Sequence, residues 1–163
     1  WHLHFNNAPF VILRILRIFK LNDFLIYRLM GDNIKYKYPE ETGLIIKCFY
    51  QIYNGLGIGF TKKAYTHALI HDLRKEGFSC EVNKYIGLYY DMVDIGDFRS
   101  DIIVNDKILL SIETDMQIDP IKGRILYNQL KSSRFEVGLL LNFGTAPELM
   151  RKQFDNNTKH NVD

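Results

Sequence analysis

The stretch EVGLLLNFG, residues 136–144, carries Val137, Leu139, Leu140, Leu141 and Phe143 in one apolar run without alternation. A strand of this kind has no solvent face, so it belongs to a sheet covered on both sides. The chain offers helices to cover it. In ETGLIIKCFYQIYNGLG, residues 41–57, Leu44, Ile45, Cys48, Phe49, Ile52 and Tyr53 recur at helical spacing. Thr42 or Glu41 can cap this helix, and Gly55 and Gly57 stop it. A second helix spans about 60–76, with Ala64, Ala68, Leu69 and Leu73 on one face and Gly77 at its end. A third covers about 120–133 and starts on Pro120.

Strand patterns fill the interval between the second and third helices. SCEVNKYIGLYYD reads as one or two strands, with turn chemistry following at Asp94-Ile95-Gly96-Asp97. FRSDIIV and KILLSIET are two more, joined by a tight hairpin at Asn105-Asp106. Residues 146–163 read as a polar C-terminal helix or tail. Helix, helix, β-meander, helix, strand predicts an α/β (α+β) domain over residues 36–163, a mixed sheet of four to five strands flanked by helices.

Residues 1–35 differ in character. The run APFVILRILRIFKLNDFLIYRLM, residues 8–30, repeats Arg14, Arg17 and Lys20 every three residues on an otherwise apolar surface. Charge interrupts it too often for a membrane span. We expect a basic amphipathic extension that binds protein subunits of a larger assembly, with membrane-surface contact as the less favoured use. Its Arg-rich, acid-poor character is similar to organellar targeting segments, which points to a mitochondrial matrix or membrane-associated location, with the cytoplasm as the alternative.

Over the whole chain 21 basic residues meet 19 acidic ones, a formal charge of +2, which neither demands nor excludes RNA or DNA as a partner. Cys48 and Cys80 lack metal-ligand spacing and read as free thiols of a reducing compartment. His67 and His71 stand four apart on one helix face, but HALIH lacks the acid of a zinc-peptidase motif. Asp91, Asp94 and Asp97 are turn chemistry rather than a calcium loop, and GLGIGF is a helix-terminating turn rather than a phosphate cradle.

Four stretches share a more specific pattern: ETGLIIKCFYQIYNGLGIGF, AYTHALIHDLRKEGF, FRSDIIVNDKILLSIET and YNQLKSSRFEVGLLLNFGTAPELMRKQFDN. From about residue 40 to 155 they resemble the GxxExxY family, a branch of the PD-(D/E)XK nuclease-like superfamily. The resemblance implies a restriction-endonuclease-like core with a site at one sheet edge. Where the family motifs are complete, it also implies an Asp and a Glu on adjacent strands that hold Mg²⁺. A Lys two residues after the Glu and a helix Glu would complete the site. The metal would activate water and neutralise charge on the phosphate.

This chain departs from those motifs position by position. In GFTKKAY, Gly59 and Tyr65 match, while Lys62 stands at the Glu position. Asp101 matches the first strand acid. Without a gap, Ser111 takes the place of the second acid and Glu113 that of the Lys, and Ile125 and Gln129 replace a Gln and a Tyr on the next helix. We therefore expect no catalysis and no cofactor from the remnant Asp101, Ser111, Glu113, Lys62 and Tyr65. A bulge could instead bring Asp101, Glu113 and Asp115 together as metal ligands, with Lys122 or Lys62 as the cation. That would be an active Mg²⁺ nuclease. A non-cleaving nucleic-acid binder is the other alternative, through Lys62, Lys63, Lys122, Arg124, Lys131 and Arg134. The preferred expectation is a structural or accessory subunit of an assembly, organellar or ribonucleoprotein.

Overall fold

The structure, a computed structural model, describes residues 36–159. The readings made on residues 8–30 lie outside the described residues. Eleven elements follow one another: α1 (Pro39–Leu56), α2 (Lys62–Lys75), β1 (Cys80–Val82), β2 (Tyr85–Tyr90), β3 (Val93–Arg99), β4 (Ile102–Val104), β5 (Ile108–Glu113), α3 (Pro120–Lys131), β6 (Val137–Phe143), β7 (Pro147–Gln153) and a 3₁₀ turn (Asn156–Thr158). Among these helices none is long and apolar enough to cross a membrane.

The main sheet has five strands in the order β1-β4-β5-β6-β7. Only β5 and β6 run parallel, and α3 is the crossover a parallel pair requires. All seven residues of β6 are buried, as its apolar run demands. On one face, Leu126 and Leu130 of α3 pack with Ile103, Leu109, Leu140 and Phe135. Helix and strand come so close there that a Cβ on Gly138 would lie 2.8 Å from Leu126. On the other face the Phe143 ring stacks on Tyr65 of α2, with centroids 4.1 Å apart, and meets the edge of Phe49 of α1. Burying a large apolar side chain is worth about 1.5–3 kcal/mol, and more than twenty such residues are buried here. This is the mixed sheet between helices expected from the sequence.

Local chemistry sets the ends. Thr61 caps α2, its side chain accepting from the Ala64 N–H, and Asp119 caps α3 through the Ile121 N–H. Asn105 and Asp106 both adopt positive φ, the geometry of the tight turn that joins β4 to β5. Both cysteines are free, and burial pushes the Cys48 thiol up to about 11.

Three local expectations are corrected. Residues 147–153 form edge strand β7, antiparallel to β6, and not a helix or tail. The turn between β2 and β3 falls at Asp91-Met92, both at positive φ, so 94–97 lie inside β3. The first helix begins at Pro39, which places Glu41 and a buried Thr42 inside it instead of at its cap.

Candidate functional site

The site is the end of the β4–β5 pair. Register runs without a break from Val104↔Ile108 to Ile102↔Leu110, so the next step sets Asp101 beside Ser111. The parallel pairing of β5 with β6 is also unbroken through Glu113↔Asn142. No bulge slides Glu113 toward the place opposite Asp101, so the residue beside Asp101 is Ser111. Leu109, Ser111 and Glu113 alternate onto the face that α3 covers.

Each acid at this end has a lysine. Oδ2 of Asp101 accepts the Ile112 N–H at 2.8 Å and lies 2.8 Å from Lys62 Nζ. Lys62 reaches it from the first turn of α2. Lys122 Nζ, from α3, lies 2.5 Å from both Glu113 and Asp115. Burial alone would lower the Lys122 pKa, but bonds to Asp115 and Glu113 outweigh it and hold the ammonium above its ordinary range. Ser111 donates its hydroxyl to Glu113 at 3.3 Å.

These donors do not fit a hard divalent cation, which wants several anionic oxygens facing one point. Asp101 is turned to Lys62, while Glu113 and Asp115 converge on an ammonium. Among the described residues, no group of three or more His, Cys, Asp and Glu side chains could hold a metal ion. His67 and His71 are exposed on α2.

The matching motif residues have structural partners. Gly59 sits at φ +99°, a conformation that favours glycine. The buried Tyr65 donates to the Gly57 carbonyl at 2.7 Å and accepts the Phe60 N–H at 3.3 Å. Ile125 and Gln129 line a cleft beside the β2–β3 hairpin.

Of the six cations considered for nucleic acid, three are engaged within the chain: Lys62 and Lys122 as above, and Arg134 with Asp106. Lys63, Arg124 and Lys131 are exposed and make no ion pair among the described residues.

One group was not singled out from the sequence. Asn142 is buried, and its side-chain amide donates to the Asp115 carbonyl and to Glu148, each at 3.0 Å. Glu148 also accepts the Ile118 N–H at 2.8 Å. Thr145 donates to the Met116 carbonyl, and Tyr53 to the Gly144 and Thr145 carbonyls. Gly144 lies against the same segment, where a Cβ would come within 2.0 Å of the Asp115 carbonyl. The LNFG run thus clamps the loop that carries Asp115. An Asn and a Gly closing a buried strand were the signal for it.

A mixed five-stranded sheet between helices, with charged residues gathered where two central strands end, defines a restriction-endonuclease-like fold. A family model described as the PD-(D/E)XK nuclease superfamily matches residues 39–154, and the chain belongs to that superfamily. No curated protein and no solved structure matches it.

Proposed function

We propose that this is a degenerate GxxExxY-type member of the superfamily, a nuclease-like domain that no longer cleaves and serves as an accessory subunit of a larger assembly. One observation carries the reading. Lysine ammonium groups from α2 and α3 occupy the carboxylates a metal would need: Lys62 on Asp101, and Lys122 on Glu113 and Asp115. A divalent cation would have to displace both ammoniums and then rely on Ser111, a neutral and weak ligand. Use as a binding block is supported by the apolar surface the domain leaves exposed, including Tyr90, Met92, Val93 and Ile95 on one hairpin. An organellar setting rests on the basic amphipathic segment 8–30 alone.

A second reading, nucleic-acid binding without cleavage, is favoured by the exposed and unengaged Lys63, Arg124 and Lys131. It is the weaker one, since half of the candidate cations already hold acids of this chain.

The test is a cleavage assay of the full chain on single- and double-stranded DNA and RNA with Mg²⁺ or Mn²⁺, beside Asp101→Ala. The expected result is no cleavage by either protein. Cleavage abolished by Asp101→Ala would overturn the reading and assign the metal to Asp101 and Glu113. Tight, steeply salt-dependent binding without cleavage would move the assignment to the second reading.

A further inference from the structure

The β2–β3 hairpin forms a sheet of its own, outside the main one. It is fastened beside α3: the Tyr89 N–H donates to the Ser132 carbonyl, and Ile86 and Phe98 join the core that holds Leu126 and Leu130. A cleft of about 940 Å³ lies between hairpin, helix and the segment after β7. Lys159 of that segment lines it and is fixed in place, donating to the Ser133 and Phe135 carbonyls at 2.6 Å. A cleft of this size takes a small organic molecule.

The helix wall carries the polar chemistry. Ile125, Asn128, Gln129 and Ser132 line the cleft at i, i+3, i+4 and i+7, one face of α3 and its cap. Neither the Asn128 nor the Gln129 side chain hydrogen-bonds within the described residues. Two neighbouring carboxamides, each with donors and an acceptor, thus border the cavity with no group of the chain to bind. Lys131 also lines the cleft and makes no ion pair among the described residues. The hairpin wall is apolar, with Leu88, Ile95 and Phe98. Tyr90 stands beside them at 73% of full accessibility, its ring without a partner ring among the described residues. The charged residues of the lining are two lysines and one aspartate, Asp91, a balance that favours an anion.

We propose that this cleft binds an adenine nucleotide. A carboxamide pairs with the adenine edge through one donor and one acceptor. The free ring of Tyr90 stacks on the base. Lys131 takes the phosphate, as the neighbour of Asn128 one turn along the helix. A free nucleotide fits better than a nucleic-acid strand. Lys159 is already engaged, so one ammonium is left for phosphate, and further phosphates would pass Asp91 or the exposed apolar Met92 and Val93. The inference stands whether or not the strand-end site cleaves.

Calorimetric titration of the full chain with AMP, GMP and inorganic phosphate, without divalent metal, tests it. The expected result is saturable AMP binding, at least about tenfold tighter than GMP, with no measurable binding of phosphate alone. Asn128→Ala with Gln129→Ala, and Lys131→Ala separately, should each weaken AMP binding by about tenfold or more. Circular dichroism and thermal melts check that the variants fold. No AMP binding up to millimolar concentration overturns the proposal. So does equal affinity for AMP and GMP, phosphate binding as tight as AMP, or AMP affinity that the substitutions leave unchanged. An oligoadenylate strand that binds more tightly than AMP would overturn the free-nucleotide assignment.

Discussion

Lys62 Nζ sits 2.8 Å from Oδ2 of Asp101, so an ammonium from α2 holds the acid at the end of the β4–β5 pair. The same oxygen ties off the Ile112 N–H of the neighbouring strand. Asp101 therefore has a place in the sheet that does not depend on any metal. Its removal is a test of stability as much as of chemistry.

Asp101→Ala should destabilise the domain by about 1–3 kcal/mol, since it leaves a partly buried N–H without its acceptor. Lys62→Ala should cost less than about 1 kcal/mol, because the lysine is half exposed and its ion pair is screened. Urea unfolding of both variants checks the ordering. Equal losses would mean that the ion pair, and not the backbone bond, is what Asp101 contributes.

On the reading proposed above, completing the motif should create a metal site. A variant carrying Lys62→Glu, Ser111→Glu and Glu113→Lys moves an ammonium from position 62 to position 113 and places carboxylates at 62 and 111 beside Asp101. We expect its Mn²⁺ affinity, read by calorimetry, to exceed that of the natural chain by about tenfold or more. An unchanged affinity would show that the site is blocked by something other than these three side chains.

Lys122 gives a pH signature. Its folded pKa is raised, so its contribution is complete below the ordinary lysine value of 10.5 and is lost as pH climbs through the raised folded value. Lys122→Met should flatten the decline in stability above about pH 10 and remove less than about 1 kcal/mol at neutral pH. Thermal melts of both proteins from neutral to alkaline pH measure it.

Gly144→Ala should destabilise by about 1–3 kcal/mol, because the added carbon meets backbone, which cannot rotate away. Tyr65→Phe should cost about 1–2 kcal/mol through the bond to the Gly57 carbonyl. Tyr65→Ala should cost about 3–5 kcal/mol through the lost stack on Phe143. Denaturation of the three variants ranks packing against polar contacts at this end of the sheet.

Much of the fold was legible because its signals are local. The buried strand β6, the Asn105-Asp106 turn and the helix periods of α1, α2 and α3 are each written within a few residues. Strand β7 was not legible. PELMRKQ alternates weakly, its residues are mostly half-buried, and its strand state comes from pairing with β6 rather than from its own composition. The β2–β3 turn was misplaced for a related reason. Asp94, Gly96 and Asp97 have turn composition, yet β3 absorbs them with Ile95 as an extra residue, where the pairing shifts between Leu88 and Tyr89. At the site, the types of residue were readable but their pairing was not. Only the crossover of α3 brings Lys122 to Glu113 and Asp115, and only the packing of α2 brings Lys62 to Asp101.

Tyr65 has a consequence for tracing ancestry. Its hydroxyl closes the Gly57–Phe60 turn and its ring carries Phe143, so selection for a folded domain suffices to keep it, and Gly59 with it. On the reading proposed above, the position between them answered to the reaction and was free to change once the reaction stopped. A signature built from all three therefore records descent through its outer letters and occupation through its middle one, and the two fade at different rates.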